Sequence, residues 1–226
     1  MERTVTSTSA GSARAALQLL GGVELPTLGH TLTEGFCGSG IRLINPVPGD
    51  LRRQMAGPAR TLDLREPDAL AVNEAIVSLQ PGEVLVIRTA DGRRAPIGAV
   101  TAHALVAAGA VGVVVDGPVT DLPALQSLAS RLPVYASGLT AWTTHRLDVL
   151  RGTVNVPVRV GDAEARPGDM VVGDAHGVLI LPPGGPAPDV LENARKSDAA
   201  EPELLVRIAA GEPLENLLDL PSRPHP

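Results

Sequence analysis

Aromatic side chains are almost missing from this chain of 226 residues: Phe36, Tyr135 and Trp142 are the whole set. A core must therefore be built from Val, Leu, Ile and Ala, and a platform of rings for stacking bases is excluded. Cysteine is equally scarce. The single Cys37 excludes an intramolecular disulfide and a Cys-rich zinc site, and it fits a reducing compartment. No His or acidic residue stands beside it to activate a thiolate, so it is assigned no role. Basic charge is not in excess: 19 Lys and Arg face 25 Asp and Glu, for a net charge of −6, with the two signs interspersed. Nucleic acid is thus not an expected partner, because no basic stripe exists to neutralise a phosphate backbone. No run reaches the roughly 18 apolar residues of a membrane span. The opening MERTVTSTSAGSARAALQLL also lacks the apolar core of a secretory signal. A cytoplasmic protein with no membrane partner is the expectation.

What remains is an apolar content of 44% with 24 Gly and 21 Pro, which suits one α/β domain with an aliphatic core. The expected boundaries are a flexible start over residues 1–11, one domain over 12–219, and a disordered Pro-rich tail over 220–226. Residues 12–20 form a short amphipathic helix candidate after a Ser/Thr-rich run. Residues 41–48 are expected to be extended and to end in a turn.

GPARTLDL at 57–64 predicts a strand, 69–78 a helix closed by the turn at 80–82, and EVLVIRT at 83–89 a buried strand. A helix over 97–109 should stop at Gly109 in a left-handed cap. VGVVVDG is another buried strand, 122–131 a further helix and PVYAS a short strand. This βαβαβ series implies parallel pairing with right-handed crossovers. Beyond residue 150 the pattern turns to strands and turns, and MVVGDAHGVLILP predicts a hairpin with residues 174–177 at its tip. A final helical stretch covers 190–211, in which Pro202 should start a new helix or sit in a first turn. The Asp116-Gly117 pair suggests a structural turn, and Asp174 and His176 are expected to be structural at the hairpin tip.

Three segments, in this order and spacing, resemble the RraA-like family, which includes the 4-hydroxy-4-methyl-2-oxoglutarate aldolases. They are GPARTL with PGEVLVI, then GAVGVVVDGPVTDLPAL at 109–125, then VNVPVRVGDAEARPGDMVVGDAHGVLILP at 154–182. The resemblance implies a swivelling β/β/α domain, with the βαβ series followed by a C-terminal hairpin and helix. It also implies a closed trimer or hexamer with a metal and keto-acid site between subunits.

In the family's aldolases a Gly-Glu/Asp-Leu-Leu loop opens a helix whose amides hold a pyruvyl carboxylate, the Arg of an Arg-Asp pair neutralises that carboxylate, and the Asp binds a divalent metal. The physics is coherent, since free amides at a helix start suit an anion and a metal stabilises charge developing on an oxygen. Here the loop is Gly98, Ala99, Val100 and Thr101, without the acid, and the pair is Thr120-Asp121, without the guanidinium. The resemblance leaves Asp121 as ligand for Mg²⁺ or Mn²⁺ and residues 98–101 as the substrate-binding loop. Thr120 stands as a hydrogen-bond donor, and His103 could replace a lost charge near the site. Glu201, or Glu203 beside it, falls where family members present a Glu to the metal across the subunit interface.

Three functions follow. The first is a divergent metal-dependent lyase, cleaving or decarboxylating a keto acid or related small molecule in a specialised pathway. The second is a regulatory binding protein, as are family members that inhibit a ribonuclease. The third is a different enzyme, for dehydration, cyclisation or tautomerisation, because Thr in place of Arg accepts a neutral group without a buried unpaired charge.

Overall fold

The computed structural model describes residues 20, 23–50, 55–145 and 150–219. The helix candidate over 12–20, apart from Leu20, and the Pro-rich tail lie outside the described residues. The expected βαβαβ series is present. β2 (Met55–Leu64), β3 (Val84–Thr89), β4 (Gly112–Val119) and β5 (Val134–Leu139) are parallel neighbours, joined through α2 (Ala69–Ser78), α3 (Ala99–Ala107) and α4 (Leu122–Ser127). The third helix is thus shorter than expected, and the extended stretch at 41–48 narrows to β1 (Arg42–Leu43) on the far side of β5. Gly109 follows α3 with φ +82, the left-handed stop that the sequence suggested.

The sheet nearly closes on itself. β2 continues past its parallel partner, and its first half pairs antiparallel with β9 (Met170–Asp174), which pairs with β10 (Gly177–Leu181). Pro58, with no N–H to give, sits at the end of that pairing, where the partner of β2 changes. The chain ahead of β1 then bridges the gap to β10, with the Cys37 N–H on the Val178 carbonyl at 2.9 Å and the Ile180 N–H on the Gly35 carbonyl at 2.8 Å. β6 (Gly152–Val154) adds to β2, and β7 (Val158–Val160) with β8 (Ala163–Ala165) forms a separate hairpin.

Strand alternation explains the unbroken apolar runs. Leu85 and Ile87 of β3 join the cluster under α2, α3 and α4, while Val84 and Val86 join Tyr135, Val158 and Val160 on the opposite face. Both faces are covered, so both parities must be apolar. On α2 the buried set is Ala71, Val72, Ala75 and Ile76, one helical stripe. Asp68 caps that helix through Leu70 at 2.8 Å and spends its other oxygen on the Arg151 amide at 2.7 Å. The hairpin tip is structural as expected: buried Asp174 accepts from Leu25 at 2.9 Å and from His176 at 2.8 Å.

Two expectations are corrected. Asp116 lies inside β4 rather than in a turn, and α5 (Pro188–Ala209) runs unbroken through Pro202. Asp116 stays in the strand because it is paired with Arg88 of β3, although the register with β5 shifts between Val115 and Pro118. In α5 only the hydrogen bond from position 202 to the Asp198 carbonyl is forfeited, while Thr27, ahead of it on α1 (Leu25–Gly29), donates its hydroxyl to the Asp198 carboxylate and anchors that turn.

Candidate active site

The C-terminal ends of parallel strands gather loops at one rim, where α/β folds place ligands. After β3 the chain turns through Ala95 and Ile97, both buried, into Gly98, the residue that precedes α3. After β4, Thr120 donates its N–H to the Ile97 carbonyl at 3.0 Å, which sets the two loops side by side. Asp121 follows with φ 55 and ψ 45, a left-handed conformation that Asp tolerates better than bulky residues do. One of its carboxylate oxygens, Oδ2, accepts the Ala99 N–H at 2.8 Å. Gly98 must be glycine for this approach, because a Cβ there would lie 2.6 Å from Asp121 Oδ2 and 2.8 Å from Thr120 Cγ2.

At the start of α3, Thr101 Oγ1 accepts the Gly98 N–H at 2.8 Å and donates to the Gly98 carbonyl at 3.2 Å. The regular helical bonds begin with the Ala102 N–H on Gly98 at 2.9 Å. The amides of Val100 and Thr101 therefore find no acceptor among the described residues, and they form the free donor pair of this helix start. His103, one turn on, bonds the Ala99 carbonyl through Nδ1 at 2.8 Å, which places the Nδ1 proton on that carbonyl and leaves Nε2 as the free ring nitrogen.

The structure thus brings Gly98, Ala99, Val100, Thr101, His103, Thr120 and Asp121 to one rim. It does not bring Glu201 there within the chain. Glu201 and Glu203 line a groove of about 510 Å³ with His30, Ser197, Ala200, Leu204 and Arg207, between α1 and α5. Among the described residues no three His, Cys, Asp or Glu side chains are grouped to hold an ion. Mg²⁺ needs less than that, since one or two carboxylates suffice when waters and substrate oxygens complete the octahedron. Exposed Asp121, with Oδ1 free of hydrogen bonds among the described residues, fits such an open site.

Below the rim, on the opposite face of the sheet, a charged row crosses three strands: Asp63, Arg88 and Asp116 are register neighbours. Burial pushes the Asp63 carboxyl up, but hydrogen bonds and charge from Arg88 at 2.7 Å and Arg65 at 3.0 Å outweigh it, and its pKa ends below the ordinary value. For Asp116 burial prevails over the Gly161 amide and the charges of Arg88 and Arg159, and its pKa is raised. Burial, with Asp116 and Asp162 nearby, also pushes the Cys37 thiol up to about 12, so it is inert as a nucleophile.

Sequence reasoning missed three groups. Buried Asn45 ties Leu125 and Leu132 carbonyls to the Val134 amide, at 2.8, 3.0 and 2.8 Å. Asp68 was passed over, although an Asp ahead of an apolar helix is a capping signal. Arg94 and Trp142, which stack at 4.6 Å, carried no signal beyond a lone aromatic in a loop.

This arrangement of a nearly closed mixed sheet, with a helix start and a carboxylate at its rim, defines an α/β domain. The chain belongs to the RraA-like family, described as aldolase/RraA, whose profile matches residues 31–180. A protein of Halalkalibacterium halodurans, provisionally assigned as a 4-hydroxy-4-methyl-2-oxoglutarate aldolase, is 37% identical over 147 residues, 65% of this chain and 68% of that one. The 4-hydroxy-4-methyl-2-oxoglutarate aldolase of Thermus thermophilus is 33% identical over 135 residues, 58% of this chain and 77% of its own. In fold the chain is similar to Streptomyces coelicolor RraAS2, described as an unusual member of the RNase ES inhibitor RraA family. That likeness has a TM-score of 0.68 and 24% identity, over 84% of this chain and 96% of that one.

Proposed function

We propose that the chain is a divergent metal-dependent lyase that acts on a keto acid or related small molecule by aldol cleavage or decarboxylation. The observation that carries this reading is the meeting of two free amides, on Val100 and Thr101, with the Asp121 carboxylate that holds Ala99. The amides and the positive helix end attract a substrate carboxylate, whereas Asp121 repels one. A divalent cation on Asp121, Mg²⁺ or Mn²⁺, reconciles the two and supplies Lewis acidity toward a substrate oxygen. The chain's own residues do the rest. The Val100 and Thr101 amides bind and orient the anion, and the Ala99 hydrogen bond keeps the Asp121 carboxylate aimed at the rim. Thr120 offers a hydroxyl where the family's aldolases place an arginine, and the free Nε2 of His103 can accept a proton.

A closed ring of copies, a trimer or hexamer, belongs to the same proposal. Leu205, Val206 and Ile208 are exposed on the outer part of α5, near Glu201, and a neighbouring copy would cover them and receive Glu201 at its own Asp121. Light scattering that gives a monomer at micromolar concentration would remove the role of Glu201. The reaction is tested by pyruvate release from a 4-hydroxy-2-oxo acid with Mg²⁺ or Mn²⁺, before and after chelation. Metal-dependent release that disappears in Asp121→Asn supports the lyase, and release unaffected by chelation overturns it.

The absence of an acid at Ala99 and of a guanidinium at Thr120 favours two other readings in turn. One is an enzyme for dehydration, cyclisation or tautomerisation of a less acidic substrate. The other is a regulatory binding protein, as the description of the Streptomyces relative suggests. An intact oligomer that turns over no keto acid but slows a ribonuclease would decide for the regulator. Among the described residues no helix is long and apolar enough to cross a membrane.

A further inference from the structure

Arg94 stands in the loop from β3 to α3, four residues ahead of Gly98. Its guanidinium lies over the Trp142 ring at 4.6 Å, and its Nη1 bonds His145 Nε2. Its acidic partner among the described residues, Asp91, is 3.9 Å from Nε, too far for a hydrogen bond. The cation is therefore positioned by an aromatic face and a ring nitrogen rather than consumed by a close carboxylate, although its side chain is only 20% exposed. Trp142, by contrast, is 52% exposed in a chain with three aromatic residues, so its ring does little for the core.

The backbone explains why these side chains meet. After β5 the chain crosses the strand ends as a strap: the Thr140 N–H bonds Val119 at 3.0 Å, the Ala95 N–H bonds Trp142 at 2.7 Å, and the His145 N–H bonds Pro67 at 2.8 Å. The strap lies on the same Ala95 to Ile97 loop that receives Thr120 and leads into α3. Arg94 thus belongs to the rim that holds Asp121 and the free amides.

We propose that Arg94, stacked on Trp142, is the carboxylate-binding cation of this site, and that it supplies from the neighbouring loop the guanidinium that position 120 lacks. Its fork can take a carboxylate bidentately while the indole and His145 hold it in place. The ligand class is a small carboxylate or dicarboxylate with one planar face exposed to Trp142. This assignment rests on the proposed reading of the Asp121 rim.

Trp142 is the only tryptophan of the chain, so its fluorescence reports on this position directly. Oxalate, titrated with and without Mg²⁺, should change that emission saturably, and calorimetry on the same samples should give the same affinity. Arg94→Gln should weaken oxalate binding by about ten- to a hundredfold, as expected for loss of one charge-assisted bidentate contact. Arg94→Lys should recover part of that loss, with the melting temperature of each variant showing that the fold is kept. Binding by Arg94→Gln within about twofold of the parent, while Asp121→Asn loses it, would overturn the role of Arg94 and leave the rim intact. No oxalate binding by the parent in either measurement would overturn the rim reading and this assignment together.

Discussion

The Asp121 carboxylate accepts the backbone N–H of Ala99 at 2.8 Å, across 22 residues of sequence, and so fixes the start of α3 to the loop that leaves β4. One side chain is thereby both a charged group at the rim and the cap of the helix whose next two amides have no acceptor among the described residues. Structural and chemical roles at position 121 are separable by substitution.

Asp121→Ala removes both roles, and Asp121→Asn keeps a capping oxygen while losing the charge. The alanine variant should be about 1 kcal/mol less stable than the parent, the ordinary worth of an N-cap side chain, and the asparagine variant nearly unchanged. Both should lose metal-dependent turnover by more than about a hundredfold, roughly 2.7 kcal/mol of barrier. Denaturant titration beside the activity assay separates the two effects, and unchanged turnover in either variant would remove the metal site.

Restoring the family's charges tests how far the rim has been remodelled. In Thr120→Arg with Ala99→Glu, the new guanidinium must replace a methyl group packed against Gly98, and the new acid must stand beside Asp121. We expect less than about a hundredfold gain in pyruvate release, because an inserted charge without a shaped partner costs several kcal/mol. A larger gain, with the oligomer unchanged, would return the chain to the ordinary aldolases.

Asp63 gives the acid limb of stability a particular sign. Its folded pKa is depressed below the ordinary 3.8 despite burial, since Arg88 and Arg65 bond the ionised form. The stabilisation is complete above 3.8 and is lost as pH falls through the lower folded value. Asp63→Asn should therefore destabilise by roughly 2 kcal/mol near neutral pH, and the difference from the parent should shrink below the ordinary carboxylate range. A constant difference across that range in urea titrations would contradict this. Asp116, with its pKa raised by burial, acts in the opposite sense: its ionisation disfavours the fold as pH rises through the folded value.

Pro202→Ala should strengthen α5 locally. An alanine there restores an N–H for the Asp198 carbonyl and removes a penalty of up to about 3 kcal/mol. Because only Leu191 and Ala194 of this helix are buried, the gain should appear as slower amide exchange over 199–209 with little change in global melting. Unaltered exchange would mean that the helix already tolerates the proline through its contact with α1.

The parallel series was legible because the runs at 83–89 and 111–117 are apolar at both parities, which only a strand covered on both faces requires. Asp116 was harder, since Asp-Gly marks a turn in most contexts and only the pairing of Arg88 with Asp116 decided for the strand. Pro202 misled for a similar reason, because local propensity forbids what the bond from Thr27 to Asp198 sustains. By itself, then, the sequence determined the strand and helix order, the aliphatic core, the family, and the loops at 98–101 and 120–121. Only the tertiary structure decided that Asp121 caps α3, that Glu201 lies on another groove of its own chain, and that a strap from β5 sets Trp142 against Arg94. These depend on hydrogen bonds between segments distant in sequence, and periodicity, propensity and turn chemistry encode only what lies within a few residues.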